Sequence, residues 1–446
     1  MGSPRTPSAA TWAPLRAVSA RAAEGAGLAD PGAPVPLLAH AFHDAAALGV
    51  PPASLALAGA AILTVAVVLP ARADEPRLLL PVDGLPSDGE VVAREAGRGT
   101  VRTRPRSTVR TAARVVAVVL LVAVVLLVGV LGPATPNLAA LLVGSLALPV
   151  TVVTAAVFGG PGRAVPASRR GRDVAADRPV PRAAAPALAV VFHLAWTAGA
   201  LGGRSTAVLA AGYLAATTIG RWRCGPRWWR DGDAVVVLAR AVGRLAPADR
   251  GPGGRRRRPW AAGLLEPLDP AERAVVTVVV AAGLARAAAF LSWWAPLTVG
   301  RGGAALVLRD LTLLALAVAA LTVGDRLLRP RGVRVSTAAL VPVAVALVVA
   351  NHAAPAIFGV QLGGVLVSDP FATGADLFGT AGARVGVGVL TSPLTWLSQL
   401  VVVLLGGIVG ATAQRDLDRR DGVTGRGAPA AVAAVAGTAL LVLTVS

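Results

Sequence analysis

Long apolar segments are the feature that most constrains this chain. A membrane-spanning helix needs about 20 mainly apolar residues. Ten segments come close to or reach that length: 53–69, 113–131, 138–158, 183–201, 205–220, 274–295, 303–323, 336–357, 393–412 and 428–445. With 55% hydrophobic residues and a mean hydropathy of +0.66, the composition also lies outside the usual range of soluble domains. The sequence therefore predicts an all-α integral membrane protein with about ten transmembrane helices.

The distribution of arginine predicts the orientation of these helices. The chain has 43 basic residues and a formal charge of +19. Alternate loops between the predicted helices hold 34 arginines against 3 in the others. Cytoplasmic loops carry the excess of positive charge in membrane proteins. We therefore expect both termini outside, an extracytoplasmic tail at 1–52, and a transmembrane bundle over 53–446 with these cytoplasmic loops: 70–112, 159–182, 221–273, 324–335 and 413–427.

The same distribution bears on partners and location. The run "GGRRRRPW" (253–260) resembles a nucleic-acid patch, but on a cytoplasmic loop it is better explained as an anchor beside anionic lipid headgroups. We expect the lipid bilayer of the plasma membrane, and no nucleic acid, as the partner of this multi-pass chain. The sequence identifies no protein partner. The single cysteine, Cys224, excludes an intramolecular disulfide.

Residues 220–247 combine tryptophan, arginine and a helical pattern. Tryptophan and arginine alternate over 221–230, as they do at the headgroup level of a bilayer. Further on, Val235, Leu238, Val242 and Leu245 share one helical face, while Arg240 and Arg244 share the other. This pattern predicts a short amphipathic helix on the cytoplasmic surface, with both arginines facing outward.

The loop 366–380, "LVSDPFATGADLFGT", has the composition of an ordered connection on the outer side. Asp369 before Pro370 matches a helix N-cap followed by proline, and the glycines permit sharp turns. We expect Asp369 to cap a short helix and Asp376 to face polar groups at helix ends. The side chains of Phe371, Leu377 and Phe378 are predicted to enter the membrane interface or to plug the bundle.

The segments "SDPFATGADLFGT" (368–380) and "SPLTWLSQLVVVLLGGIVGATAQRD" (392–416) resemble the C-terminal block of the fenitrothion hydrolase-like family of bacterial multi-pass membrane proteins. Three further stretches, 39–68, 220–247 and 349–361, resemble other parts of that family. The chain departs from the family after the third helix ("GGPGRAVPASRRGRD") and in the sixth ("VVTVVVAAGLARAAAF"). The resemblance implies a membrane protein that hydrolyses an organophosphate triester.

A metal site would be compatible with such chemistry. His40, His43, His352 and Asp369 are all expected on the outer side, with Asp376 nearby, and a divalent metal needs three or four such ligands that converge. A metal-bound hydroxide can attack a phosphotriester, with Asp369 and Asp376 as candidate catalytic carboxylates. The alternative is that the aspartates only cap turns and the histidines lie at a hydrated interface.

The ionisable residues inside predicted spans include His193, Arg286, Arg309 and Asp310. Ionisable groups in hydrocarbon cost about 2.5–3.5 kcal/mol each on insertion scales, so they usually face the bundle interior. Arg286 and Asp310 are a plausible internal pair. Three classes of function remain open: a metal-dependent hydrolase, a small-solute or ion permease, and a non-catalytic membrane subunit.

The charge argument makes a direct prediction about topology. We expect reporter fusions after Gly202 and Gly374 to give an extracytoplasmic signal and a fusion after Gly253 to give a cytoplasmic one. Paired alkaline phosphatase and green fluorescent protein fusions measure this. A cytoplasmic signal at Gly374 would refute the predicted alternation.

Overall fold

A computed structural model describes residues 122–133, 136–161, 179–197, 203–251, 254–289, 303–383, 385, 393–423 and 427–445. The tail 1–52, the first predicted span 53–69 and the loop 70–112 lie outside these ranges. The predictions made for those three segments therefore stay predictions.

The described ranges are mainly helical. In chain order the helices are α1 (Val122–Leu131), α2 (Leu138–Phe158, π-helical over Leu142–Ala147), α3 (Ala184–Thr197), α4 (Gly203–Cys224), α5 (Arg227–Asp231), α6 (Ala234–Val242), α7 (Pro270–Ala288), α8 (Gly303–Leu328), α9 (Val341–Ser368), α10 (Pro393–Arg420) and α11 (Gly427–Val445). Short 3-10 turns occupy Gly243–Leu245, Ala262–Leu265, Arg329–Arg331 and Thr337–Leu340. Each predicted span from 113–131 onward overlaps one of these helices.

A small hairpin interrupts the helical fold. Strands β1 (Ala248–Gly251) and β2 (Gly254–Arg257) pair antiparallel, with Ala248 opposite Arg257. Four residues of the basic run at 253–260, Gly254–Arg257, therefore lie on a strand. Elsewhere in the described ranges the predicted helical class is what the structure has.

Four helices are long and apolar enough to cross a membrane: Leu138–Phe158, Ala304–Arg331, Thr337–Ser368 and Leu397–Arg420. Three shorter apolar helices accompany them. The chain has the helices of a membrane protein, but the described part reaches four such spans rather than about ten. Charge is one physical reason, because α4 includes Arg204, Arg221 and Arg223, and α7 includes Glu272, Arg273 and Arg286.

Helix α7 lies at the centre of the packing. It contacts α3, α6, α8, α9 and α11, and its Val275, Val276 and Val280 are fully buried. Where α7 crosses α9, a side chain at Gly283 would place its Cβ 2.7 Å from the Cβ of Leu347. Small residues allow such close approach between membrane helices. The small residues along α7 therefore determine the distance at which neighbouring helices pack against it.

The prediction that Arg240 and Arg244 face outward is wrong. Helix α6 begins at an N-cap, Asp233, which accepts a hydrogen bond from the Val236 amide. Both arginines that follow are buried, because they meet the carboxylate of Glu272 on α7. On the predicted apolar face Leu238, Val242 and Leu245 are buried and Val235 is 44% exposed, while the polar face packs against protein.

Glu272 joins the two arginines through separate oxygens. The Nε of Arg240 donates to Oε1 and the Nη2 of Arg244 donates to Oε2, each at 2.6 Å. Oε2 also accepts from the amide of Asp269, which completes a capping box at the start of α7. We refer to Arg240, Arg244 and Glu272 as the Arg–Glu–Arg triad.

The charge of Glu272 depends on its two partners. Burial alone would raise the pKa of Glu272, but Arg244 and Arg240 hold this pKa below its ordinary value. A carboxylate with a lowered folded-state pKa stabilises the fold above its unfolded-state pKa, and this stabilisation is lost as the pH falls through the folded value. Acidification is therefore expected to loosen α6 from α7.

Replacing Glu272 tests the role of the triad. We expect Glu272→Gln to lower the free energy of unfolding by about 3–5 kcal/mol, because two buried guanidinium groups lose their closest counter-charge. Unfolding by dodecyl sulfate in mixed micelles measures the change. The matched control is Glu266→Gln, whose carboxylate is 45% exposed and lies 3.7 Å from Arg244; it should cost less than about 1 kcal/mol. Equal losses of unfolding free energy in Glu272→Gln and Glu266→Gln would show that the triad contributes no more to stability than an exposed ion pair.

Candidate functional site

Buried polar residues from four helices meet inside the bundle. His193 comes from α3, Arg286 from α7, Asp310 from α8 and His352 from α9. The side chains of His193, Asp310 and His352 are at most 7% exposed. His193 lies within electrostatic range of Asp310 and Arg286, and His352 within range of Arg286 and His193. Together with Trp196, these four residues form what we call the interior cluster.

Trp196 connects the cluster through its ring. The indole stacks on the imidazole of His352 with centroids 4.1 Å apart and planes 13° from parallel. The guanidinium carbon of Arg286 lies 4.8 Å from the centroid of the same indole. A cation over an aromatic face is stabilised by the ring quadrupole, and this contact is strongest with tryptophan. Trp196 therefore fixes the positions of both Arg286 and His352.

The predicted partner of Asp310 is not its closest one. Its Oδ1 pairs with the neighbouring residue Arg309, whose Nη2 lies at 2.8 Å and whose Nε lies at 2.9 Å. Arg286 instead lies over Trp196 and influences Asp310 electrostatically.

His352 was expected near the outer end of its helix, and this is wrong. The predicted span ended at 357, whereas α9 continues to Ser368. The segment "IFGVQLGGVLV" (357–367) is apolar enough to extend the helix, so His352 lies near the middle. This shift moves His352 from the predicted outer metal site into the interior cluster.

The helix also separates His352 from Asp369. Seventeen residues at about 1.5 Å each place their backbones roughly 25 Å apart. No group of three or more potential metal ligands occurs among the residues that the structure describes. His40 and His43 lie outside those ranges. The structure thus does not bring together the two described members of the predicted metal set.

Asp369 organises a turn rather than a helix. It caps the C-terminus of α9, and its Oδ1 and Oδ2 accept from the amides of Thr373 and Gly374, both at 2.8 Å. Ala372 and Gly374 have positive φ angles, 55° and 84°, which interrupt any helix in this stretch. Both carboxylate oxygens of Asp369 are therefore engaged by backbone amides.

Ser368 is the residue that orders the rest of the loop. Its hydroxyl donates to Oδ1 of Asp376 and accepts from the amide of Phe378 at 2.9 Å. Asp376 also accepts from the amide of Ala381 at 3.0 Å. The hydrogen bonds from Ser368 and Ala381 lower the pKa of Asp376. Asp376 thus meets a polar group at a helix end, as the sequence predicts.

The apolar side chains of the loop point away from the bundle. Leu377 and Phe378 are each 66% exposed, and Phe371 is 37% exposed. This excludes the predicted plug and leaves the membrane interface as their expected environment.

Sequence reasoning missed two of these residues, Trp196 and Ser368. Trp196 follows His193 by three positions, so the two share a helical face, and this spacing was the available signal. Ser368 gave no comparable signal, because a serine at the end of an apolar run is common. No protein family, curated protein or solved structure matches the chain.

Removing the Ser368 hydroxyl should loosen the loop. In Ser368→Ala, Asp376 and the Phe378 amide each lose a partner, so we expect faster amide hydrogen exchange across 376–381. Asp369→Asn is the control, because Asp369 accepts from the amides of Thr373 and Gly374 and from none at 376–381; its effect should remain within 369–374. Mass spectrometry measures amide exchange in both segments, 369–374 and 376–381. Unchanged exchange at 376–381 in Ser368→Ala would show that Ser368 does not order this part of the loop.

Proposed function

We propose that the chain is a multi-pass protein of the plasma membrane that passes a small ion or polar solute through its helix bundle. Its orientation would follow the arginine-rich cytoplasmic loops, with about ten spans and both termini outside. The interior cluster is the observation that carries this proposal. Its members come from helices far apart in the sequence and meet among otherwise apolar side chains.

The energetics of burial favour a functional role for the cluster. Ionisable groups within a membrane bundle typically mark substrate or ion pathways and proton relays. Replacing a buried ion pair with apolar side chains is often neutral or stabilising. Stability alone therefore gives little reason to place Asp310, Arg286 and two imidazoles in the same interior.

Two features of the backbone give the bundle places to bend near the cluster. Pro355 lies inside α9, three residues after His352, and proline cannot donate the helical hydrogen bond to the carbonyl of Asn351. The π-helical part of α2 packs against the same helix, with Ser145 facing Gly359. Prolines and π-bulges are the usual causes of helix kinks, and π-bulges are frequent at functional sites. Such a bend would expose the cluster to one side of the membrane at a time.

Hydrolysis of a phosphotriester is a second proposal. It rests on the resemblance of 368–380 and 392–416 to the fenitrothion hydrolase-like family, and a divalent metal would be its cofactor. We place it second because the oxygens of Asp369 already accept backbone hydrogen bonds and His352 belongs to the interior cluster. A membrane subunit without transport or catalysis would have no evident use for the cluster.

Permeation can be measured without knowing the natural solute. If the permeant is a solute or an ion other than the proton, we expect purified protein in liposomes to speed swelling in at least one of three iso-osmotic solutions: potassium chloride, ammonium acetate or urea. Asp310→Asn should reduce that rate about tenfold or more, which corresponds to about 1.4 kcal/mol of barrier. Stopped-flow light scattering measures swelling.

Asp325→Asn provides the matched control for this assay. Asp325 lies on the same helix, α8, and pairs with the exposed Arg329 at 2.6 Å. Its variant should swell like the parent protein. Where the parent protein speeds swelling, an equal rate in Asp310→Asn would overturn the permease proposal, as would a parent protein that speeds neither swelling in the three solutions nor proton flux into the same liposomes.

A further inference from the structure

We propose that the proton is the ion that the permease binds and passes. In the interior cluster, Nε2 of His352 is the atom that receives it. The inference rests on the proposed function above. Two acceptor atoms, Nε2 of His352 and Oδ2 of Asp310, carry the argument.

The tautomer of His352 follows from its hydrogen bond. Its Nδ1 lies 2.9 Å from the backbone carbonyl oxygen of Val348. A carbonyl oxygen can only accept, so Nδ1 carries the hydrogen. In the neutral ring Nε2 then keeps a lone pair. Nε2 is buried and has no hydrogen-bond partner among the described residues.

Asp310 provides a second open acceptor in the same interior. Arg309 engages only Oδ1, while the buried Oδ2 has no hydrogen-bond partner within the described ranges. Asp310 is 2% exposed and His352 is 4% exposed. Buried polar atoms are nearly always hydrogen-bonded in folded proteins. Two buried acceptors without donors indicate that the cluster takes up a species that brings its own hydrogen.

The surroundings of His352 favour a small hydrogen-bond donor as the ligand of its Nε2 atom. Trp196 covers one face of the imidazole at stacking distance, so Nε2 is approached at the ring edge. Four charged or titratable groups lie around the site: His193 on α3, Arg286 on α7, and Arg309 and Asp310 on α8. Arg286 and His193 lie within electrostatic range of His352, and both oppose a positive charge on its ring. A proton that His352 receives is therefore released readily.

Proton transfer through His352 takes two steps. A hydronium ion from one side gives its proton to Nε2, which forms an N–H bond and leaves water behind. The imidazolium retains Nδ1–H to the Val348 carbonyl. After the helix bends at Pro355, water on the other side takes the proton from Nε2, and the neutral ring is restored.

Proton flux in liposomes tests this inference. With protein reconstituted, potassium inside and a valinomycin-induced potential negative inside, we expect rapid internal acidification, read by trapped pyranine. His352→Gln and Asp310→Asn should each reduce this flux at least tenfold, because neither new side chain takes up a proton. Asp325→Asn should retain it. Flux that is unchanged in His352→Gln would overturn the inference.

A spectroscopic measurement tests the same atoms without transport. The chain has four histidines, so nitrogen-15 imidazole spectra are simple, and His352→Gln assigns the His352 signals by difference. We expect a neutral ring with hydrogen on Nδ1 at pH 8, and a conversion to imidazolium on acidification. Hydrogen on Nε2, or an imidazole that stays neutral at every pH at which the protein remains folded, would contradict the proposal.

The experiments distinguish a failure of the permease proposal from a failure of the proton proposal. Swelling in ammonium acetate or urea without voltage-driven proton flux would keep the permease and reject the proton. The same swelling with loss in His352→Gln would assign the open acceptors to ammonium or urea, which also donate N–H groups. Absence of both swelling and proton flux would reject the permease itself.

Discussion

The unfavourable free energy of charge in hydrocarbon is the constraint on which this structure depends. It separates the arginines of the loops from the apolar helices, and it requires each buried ionisable group to find a partner. The Arg–Glu–Arg triad meets this requirement with two charge-assisted hydrogen bonds of 2.6 Å. Because Glu272 lies in the first turn of α7, and α7 contacts five other helices, the triad joins the segment 234–245 to the centre of the bundle.

The interior cluster meets the same constraint less completely. In the triad, Glu272 uses both oxygens against guanidinium groups. In the cluster, Asp310 uses one oxygen, and His352 uses one nitrogen. The difference is chemical: the carboxylate of Glu272 is closed, with both oxygens accepting hydrogen bonds, whereas Oδ2 of Asp310 and Nε2 of His352 are open, with no donor among the described residues. We associate the closed arrangement with stability and the open one with function.

The sequence predicted the coarse fold because apolar runs and arginine counts are local properties. It predicted His193, Arg286 and Asp310 as interior residues for the same reason. It could not predict that His352 joins them, because that depends on where α9 ends and on how four helices pack. Nor could it predict that Arg240 and Arg244 turn inward, since an amphipathic pattern has the same period whether its polar face meets water or a buried carboxylate.

The two halves of helix α9 differ in how tightly they pack and therefore in how readily they are expected to move. Its N-terminal half packs tightly, with Val341, Val343 and Leu347 fully buried. Its C-terminal half is looser, with Ile357 48% and Val360 63% exposed. Pro355 lies where the packing changes, and His352 lies one turn before it. Regions with fewer buried contacts open at lower free energy. Bending is therefore expected to move the C-terminal half and the loop ordered by Ser368, while the tightly packed half holds His352 against Trp196.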